Sequence, residues 1–252
     1  MELIYLIIFF IFGTLMGSFL TVIGLRLPKN ENFITTRSHC DNCGHVLSMT
    51  EMVPIISYII QKGKCRHCNK KIDALSTYIE LFTGVLYAAA YYIFGLSYEF
   101  LIALGIVSLL VTVIVSDITY LIIPDELLVV ASIYFIIIQI LNIGISDTGK
   151  QILTGILLFA IMYTIMIIGN KMLKKESLGG GDIKMMFVFG LILDPLLGAL
   201  SIFLGSLIAL PISLILLKKE SEKVIPFGPF LLLALTFIYF FQITTPMILD
   251  LL

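Results

Sequence analysis

The sequence predicts an all-α integral membrane protein with about eight transmembrane helices and one small cytosolic loop domain. Of its 252 residues, 59% are hydrophobic and only 13% are charged, and the mean hydropathy is +1.07. Ordinary globular domains contain about 25% charged residues. The apolar runs are continuous, whereas an outer-membrane barrel shows alternating segments of about 10 residues. These observations exclude a soluble globular enzyme, a disordered chain and a nucleic-acid-binding module with a basic face.

Eight apolar stretches are the predicted spans, since a transmembrane helix needs about 20 residues. They are residues 3–25, 77–95, 99–116, 126–143, 152–170, 183–195, 196–217 and 230–250. The stretch that begins at 183 is short for a crossing, but 183–217 is too long for one span, and Asp194-Pro195 supplies a turn between two. The predicted domains are a first helix (1–25), a polar loop (26–75) and a polytopic domain (76–252).

Basic residues mark the side of the membrane that each loop faces. With the N-terminus outside, the inner loops are 26–75, 117–125, 171–184 and 218–229, and they carry 15 of the 16 Lys and Arg residues. This asymmetry is what the positive-inside rule describes. It predicts that both termini lie outside and that the polar loop lies in the cytosol.

All four cysteines lie in the polar loop, as the pairs Cys40/Cys43 and Cys65/Cys68, with 21 residues between the pairs. Two CxxC pairs are typical of a zinc site with four cysteine ligands, and the reducing cytosol argues against disulfides. Free thiols or a redox pair are the alternative. Three histidines flank the cysteines: His39, His45 and His67. Because four thiolates already complete a tetrahedron, we interpret these histidines as local or solvent-facing, and the zinc as structural.

Two aspartates beside apolar runs are the candidate functional residues. Asp117 follows the run 101–116, and Asp182 follows Gly179, Gly180 and Gly181 at the start of another run. Carboxylates at membrane depth are costly and point to function. On one face of the membrane the two could meet, and such a pair can activate water with one carboxylate while the other polarises a peptide carbonyl. The glycines allow irregular backbone or the close approach of a peptide.

Each of these polar residues also has a simpler interpretation. Asp125, which follows Pro124, is expected to cap a helix N-terminus, and Asp117 and Asp182 could also be caps or solvated loop residues. Lys184 is expected to reach the inner interface, close enough to influence a neighbouring carboxylate. Spacing alone therefore leaves three alternatives: a protease, a proton-coupled transporter that uses Asp117 and Asp182 as a relay, and a zinc-stabilised membrane scaffold.

Motifs along nearly the whole chain resemble the type IV prepilin leader peptidases, which are GxGD aspartyl proteases. The matching segments are Gly17-Ser18-Phe19-Leu20, Arg26-Leu27-Pro28, the four-cysteine loop with Gly63-Lys64-Cys65-Arg66, Tyr78-Ile79-Glu80-Leu81, Asp117, Ile123-Pro124-Asp125, Gly179-Gly180-Gly181-Asp182-Ile183-Lys184 and Val224-Ile225-Pro226-Phe227-Gly228-Pro229-Phe230. One departure is Thr21, where the family commonly has Asn.

The resemblance implies a protease of the bacterial cytoplasmic membrane that cuts prepilin or pseudopilin precursors at the cytosolic face. It removes a short basic leader, conventionally after glycine. Asp117 and Asp182 then become the catalytic pair. The residues that the resemblance makes auxiliary or substrate-binding are Gly179, Gly180, Gly181, Lys184, Asp125, Pro226, Gly228 and Pro229.

The resemblance also implies a second activity, since many family members N-methylate the new N-terminus with S-adenosylmethionine. The candidates for methyl transfer are Gly17, Arg26, Pro28 and Glu80. The Thr21 departure concerns this activity more than the peptidase. The expected partners are prepilin-like precursors and the lipid bilayer, with no nucleic acid.

Overall fold

The computed structural model describes residues 1–174, 178–219 and 225–250, and these ranges are mostly helical. The helices are α1 Glu2–Arg26, α2 Ile56–Ile60, α3 Leu75–Phe94, α4 Tyr98–Tyr120, α5 Asp125–Leu173, α6 Gly180–Gly190, α7 Pro195–Lys219, α8 Gly228–Phe240 and α9 Thr245–Leu249, with short 3-10 helices at Leu27–Lys29 and Met49–Glu51. The chain forms two compact units, Met1–Gly95 and Leu96–Leu252.

Four helical segments of the described chain are long and apolar enough to cross a membrane. They are Glu2–Lys29, Tyr98–Tyr120, Asp125–Met172 and Pro195–Ile215. The all-helical membrane character agrees with the prediction, but the count of eight spans is not confirmed. Lys175 and Lys223, which contribute to the predicted charge asymmetry, lie outside the described residues.

In the first unit, α1 packs against α3 along a seam of small residues. A Cβ at Gly13 would lie 2.8 Å from the backbone of Gly84 and Thr83, and a Cβ at Gly17 would lie 2.9 Å from the Cα of Glu80. Helices in membranes approach this closely where small residues recur four positions apart. The loop that joins α1 to α3 is thereby anchored at both ends, so the predicted first helix and polar loop form one unit with the helix predicted at 77–95.

In the second unit, α5 contains a break at Gly144, whose φ of 83° and ψ of 170° are not helical. The break falls at the end of the span predicted at 126–143. Residues 144–151, for which hydropathy predicts a loop, are helical on its far side. The later half of α5 packs tightly on α6, because a Cβ at Gly190 would lie 2.4 Å from the Cα of Gly155.

The last predicted spans differ from the structure in length. The 11 residues of α6 extend only about 16 Å, roughly half of a bilayer core. The turn predicted at Asp194-Pro195 separates α6 from α7. The stretch 230–250 is not one helix, since α8 ends at Phe240 and Gln242 adopts a φ of 51° before α9.

The core of the second unit lies around α4, which packs against α8 and α5. The fully buried side chains on these helices and on α6 include Ile106, Leu110, Phe135, Phe189, Leu231 and Leu235. Burial of this kind fixes the rotation of α4 about its own axis. It therefore fixes the direction in which Asp117, in the last turn of α4, points.

Candidate active site and metal centre

Asp117 lies in the last turn of α4 and is 6% exposed. Its backbone carbonyl accepts a hydrogen bond of 2.9 Å from the N–H of Leu121, which ends the helix with a left-handed φ of 57°. Its Oδ2 accepts a hydrogen bond of 3.2 Å from the backbone N–H of Gly228. The interpretation of Asp117 as a cap or a solvated loop residue is therefore wrong, because α4 continues past it and its side chain is buried.

Asp182 is the third residue of α6 and is 7% exposed. The N-cap position belongs to Gly179, so the interpretation of Asp182 as an N-cap is wrong. Its Oδ1 is buried and has no hydrogen-bond partner among the described residues. An unsatisfied buried polar atom costs about 1–3 kcal/mol, and a catalytic role or a bound water or ion is among the reasons for which a protein retains one.

Both aspartates line a single cavity of about 220 Å³. The described lining residues are Asp117, Leu121, Ile122, Ile123, Gly179, Gly180, Gly181 and Asp182. The structure therefore brings together the two aspartates and the three glycines that the sequence singled out.

Ile123, which belongs to the matching segment Ile123-Pro124-Asp125, lines this cavity, and the sequence did not indicate its packing role. A Cβ at Gly181 would lie 2.8 Å from the Cβ of Ile123, and a Cβ at Gly228 would lie 2.8 Å from its Cδ1. Ile123 thus packs between the segment that carries Asp182 and the backbone that bonds Asp117. The sequence offered only one signal for this role, which is that Ile123 is an apolar residue between Asp117 and Asp125.

Asp125 and Lys184 form an ion pair with distances of 2.6 and 2.7 Å between Nζ and the two carboxylate oxygens. Asp125 is the first residue of α5, but the N-cap is Pro124 and no side chain caps the helix. The interpretation of Asp125 as a cap is therefore wrong, and Lys184 pairs with Asp125 rather than with Asp182. The pair is half-exposed and lines a separate apolar cavity of about 510 Å³. Exposed ion pairs contribute only about 0–1 kcal/mol to stability.

The segment before α8 presents the N–H of Gly228 to Asp117. Pro226 is half-buried in the irregular stretch 225–227, and Pro229 is buried in the first turn of α8. Proline at this position is pre-organised for a helix start. Val224, which belongs to the same motif, lies outside the described residues.

The four cysteines converge in the first unit. Their Sγ atoms all lie within 4.8 Å of one another, with 3.9 Å between Cys40 and Cys68 and 4.0 Å between Cys43 and Cys65. A tetrahedral zinc ion with Zn–S distances of about 2.3 Å requires sulfur atoms about 3.8 Å apart. The thiols therefore fit the predicted zinc ion, and all four would be its ligands.

The two cysteine pairs lie on equivalent turns. The N–H of Gly44 donates to the carbonyl of Cys40 at 2.8 Å, and the N–H of Asn69 donates to that of Cys65 at 2.9 Å. Gly44 and Asn69 adopt left-handed φ values of 70° and 57°. Each turn is closed by one isolated antiparallel β-bridge, which pairs His39 with Val46 in the first turn and Lys64 with Lys71 in the second. The repeated geometry places two thiols of each turn on the same side, as a shared metal requires.

The surroundings of the thiols affect their acidity and position. Hydrogen bonds from the backbone N–H groups of Cys68 and His67 lower the pKa of the Cys65 thiol to about 7. The backbone N–H of His45 acts in the same direction on Cys43, but burial and the three neighbouring thiols raise the pKa of Cys43 to about 11. Metal ligation requires thiolates.

The histidines near the thiols make local contacts, in line with the sequence interpretation. The ring of His45 stacks on that of His67 with centroids 4.2 Å apart. Its Nε2 lies 3.4 Å from a carboxylate oxygen of the buried Glu51. Hydrogen bonds from the backbone and hydroxyl of Ser48 hold the pKa of Glu51 at about 2. Glu51 is therefore ionised beside His45 and orients that ring.

The candidates for methyl transfer organise the first unit. Glu80 is 6% exposed and accepts a hydrogen bond of 2.8 Å from the N–H of Ile55. Arg26 donates to the carbonyl of Thr36 at 2.6 Å, and Pro28 lies in the 3-10 helix that follows α1. Gly17 lies in the seam between α1 and α3.

Thr21, the departure from the family pattern, is buried on the seam side of α1. Its hydroxyl donates to the carbonyl of Gly17 at 2.8 Å. The Thr21 side chain therefore satisfies its own hydrogen bond within α1.

Comparison with known proteins identifies relatives for both units. Residues 11–94 match the bacterial peptidase A24 N-terminal domain, and residues 103–214 match the type IV leader peptidase family. The chain is 33% identical over 201 residues to the prepilin leader peptidase/N-methyltransferase of Bacillus subtilis, which covers 80% of this chain and 79% of that protein. The protein of the same name from Vibrio cholerae is 29% identical over 251 residues, or 95% of this chain and 98% of that protein.

A third relative with this name, from Myxococcus xanthus, is 32% identical over 200 residues, or 78% of this chain and 59% of that protein. No solved structure matches the chain. The apolar helices and these relatives together indicate a protein of the bacterial inner membrane. At this identity and coverage, the chain belongs to the type IV leader peptidase family.

Proposed function

We propose that this protein is a membrane-embedded aspartyl endopeptidase that removes the short basic leader from prepilin or pseudopilin precursors. One observation carries the proposal: Asp117 and Asp182 come from different helices, are both more than nine-tenths buried, and line one small cavity. The names of the relatives, prepilin leader peptidase/N-methyltransferase, support the substrate class.

The geometry supports hydrolysis by a carboxyl pair. One carboxylate takes a proton from a water molecule, whose oxygen attacks the carbonyl carbon of the scissile bond, while the other carboxyl donates a hydrogen bond to the carbonyl oxygen. The tetrahedral intermediate collapses as a proton passes to the leaving nitrogen. Asp117 is held by Gly228, and the Oδ1 of Asp182 is left without a partner among the described residues. That oxygen is available to bind water or substrate.

The glycine segment supports the binding of an extended peptide. Gly179 and Gly180 are exposed, and a Cβ at Gly180 would meet no atom within 4 Å. Backbone without side chains lets another chain approach closely. We assign Gly179, Gly180 and Gly181 to substrate binding beside Asp182.

The positive charges of the predicted inner loops favour an active site at the cytosolic face, with both termini outside. A precursor held in the bilayer by its apolar helix keeps its basic leader in the cytosol. Its scissile bond then lies at the inner boundary, and a carboxyl pair at the inner helix ends can reach that bond. The Asp125–Lys184 pair, which joins the first turn of α5 to the second turn of α6, is assigned an auxiliary role.

We also propose that the new N-terminus is methylated, as the names of the relatives suggest. S-adenosylmethionine supplies the methyl group in such a reaction. Glu80 and Arg26 already bond backbone groups of the loop, so we assign them to holding that loop in place. The zinc ion, bound by the four cysteines, stabilises the same loop.

The test uses purified full-length protein in lipid with a prepilin substrate. We expect Asp117→Asn and Asp182→Asn each to lower the rate of leader cleavage by about a hundredfold or more, since acid–base groups contribute that much. Asp147→Asn is the matched control, because Asp147 pairs with Lys150 on a half-exposed surface, and its rate should be unchanged. Mass spectrometry with S-adenosylmethionine present reports cleavage and methylation together.

Full cleavage by either active-site variant would rule out the carboxyl pair. Absence of cleavage by the unmodified protein would instead favour the proton-coupled transporter, which would use Asp117 and Asp182 as a relay.

A further inference from the structure

The polar loop of the first unit contains an exposed apolar face, which we call the α2 face. Its residues and their exposed fractions are Met52 at 37%, Val53 at 40%, Ile56 at 56%, Ile59 at 65% and Ile60 at 63%. Ile56, Ile59 and Ile60 are three and four positions apart and share one side of α2. A helix that faces water normally exposes polar side chains, whereas the exposed side of α2 is apolar.

The opposite side of the same segment makes the contacts to the rest of the loop. The hydroxyl of the half-buried Tyr58 lies against the backbone of Gly63, where a Cβ would be 2.9 Å away. Glu51 is buried and accepts hydrogen bonds from the backbone and hydroxyl of Ser48. The orientation of the α2 face is therefore fixed by the packing of the segment's inner side.

A strained turn holds α2 beside α3, the helix that corresponds to the span predicted at 77–95. Ile55 has a φ of 62° and a ψ of −53°, and the N–H of Ile56 donates to the carbonyl of Pro54, which together form a γ-turn that β-branched residues rarely adopt. Such a conformation is strained for a β-branched residue. The hydrogen bond from Ile55 to the buried Glu80 offsets this strain.

This contact fixes the depth of the α2 face. Glu80 is the sixth residue of α3, so it lies about 8 Å along the helix from its start. On the same turns of α3, Tyr78 is 69% exposed and Leu81 is 46% exposed. Both residues lie in the span predicted at 77–95, where exposed side chains would face lipid. The α2 face therefore begins at the level where the lipid-facing surface of α3 begins.

The charge of the loop suits a membrane surface. Residues 26–75 contain eight basic and four acidic side chains, a net charge of +4. Lys62 and Lys64 directly follow α2, and both are exposed. Basic residues near an anionic leaflet are attracted to it, and an apolar helix face next to such residues is typical of interfacial helices.

We infer that the α2 face is a membrane anchor that lies in the headgroup and upper acyl region of an anionic bilayer. The anchor holds the four-cysteine turns at the membrane surface. This inference does not depend on the peptidase activity, and it assigns lipid contacts to a loop that composition alone would place in water.

The absence of tryptophan from the chain allows a direct test. Ile59→Trp places a single fluorescent reporter in the α2 face. Ile34→Trp is the matched control, since Ile34 is an 80% exposed isoleucine of the same loop. In nanodiscs that contain anionic lipids, we expect the emission of the Ile59→Trp variant to be shifted to shorter wavelength, quenched by brominated acyl chains and protected from iodide. The control should show the opposite pattern.

Two results would overturn the inference. Equal quenching of both variants by iodide would place the α2 face in water. A shifted emission that brominated lipids do not quench would show that protein, rather than lipid, covers the face. Zinc content checks that the loop of each variant is folded, and Ile56→Trp replaces Ile59→Trp if the latter loses zinc.

Discussion

Gly181 and Gly228 show how residues without side chains determine the shape of the proposed active site. Both lie against Ile123, and Gly228 also supplies the N–H that bonds Asp117. The sequence singled out Gly181 because three glycines before Asp182 allow close approach of a peptide, and it singled out Gly228 through the family resemblance. The resemblance included Ile123 in a matching segment, but the packing of Ile123 could not be predicted, because the partner of an apolar side chain depends on the fold.

The first prediction concerns Gly181→Ala. The new methyl group would lie 2.8 Å from the Cβ of Ile123, which is close to the backbone and cannot rotate away. We expect the segment that carries Asp182 to shift, and the rate of leader cleavage to fall roughly 10- to 100-fold, as catalysis is sensitive to displacements of about 1 Å. Cleavage assays at saturating substrate measure this change.

Gly180→Ala is the control for the same substitution one residue earlier. A Cβ at Gly180 meets no atom within 4 Å. At saturating substrate, where weaker binding of the peptide does not limit the rate, the cleavage rate of Gly180→Ala should therefore clearly exceed that of Gly181→Ala. Equal rates for the two variants would show that the contact with Ile123 does not position Asp182.

At the scale of whole helices, hydropathy predicts the long elements well and the interrupted ones less well. α1, α3 and α4 lie within a few residues of the predicted spans because each is one apolar run with polar ends. Hydropathy predicts a loop at 144–151 because this region contains Asp147 and Lys150. These residues instead form an ion pair of 2.7 Å within a helix. The break lies at Gly144, where hydropathy carries no signal.

The second prediction concerns this break. Gly144 has a φ of 83°, so Gly144→Ala introduces strain of about 1–3 kcal/mol. Gly149→Ala is the matched control, because Gly149 lies in the helix and a Cβ there has open space. Alanine stabilises such a position by about 0.5–1 kcal/mol. We expect Tm in one detergent to fall for Gly144→Ala by several degrees and to stay or rise for Gly149→Ala. The same Tm for both variants would contradict the assignment of the break.

At the scale of the whole molecule, each compact unit carries one of the two sites. The first unit contains the four cysteines and the match at 11–94, and the second contains both aspartates and the match at 103–214. From the sequence alone, the last domain boundary is predicted at residue 76 rather than after Gly95, because hydropathy locates spans but does not identify their packing partners. The signal for the α1–α3 pair was available in Gly13 and Gly17, whose spacing of four residues is typical of close helix contacts.

The last prediction concerns the zinc ion of the first unit. The polar loop is small and exposes much apolar surface, so bound metal supplies a large share of its folding free energy. Trypsin cleaves after Lys and Arg, and seven of the eight basic residues at 26–75 lie beyond the end of α1, within the loop. We expect about one equivalent of zinc in the purified protein and rapid tryptic cleavage within the loop after chelation, with resistance restored when zinc is added back before the protease.

Cys65→Ser should show the same sensitivity without chelator, whereas His39→Ser should retain zinc because His39 contacts a backbone carbonyl rather than the thiols. Unchanged resistance to trypsin after removal of all zinc would contradict the structural role of the metal.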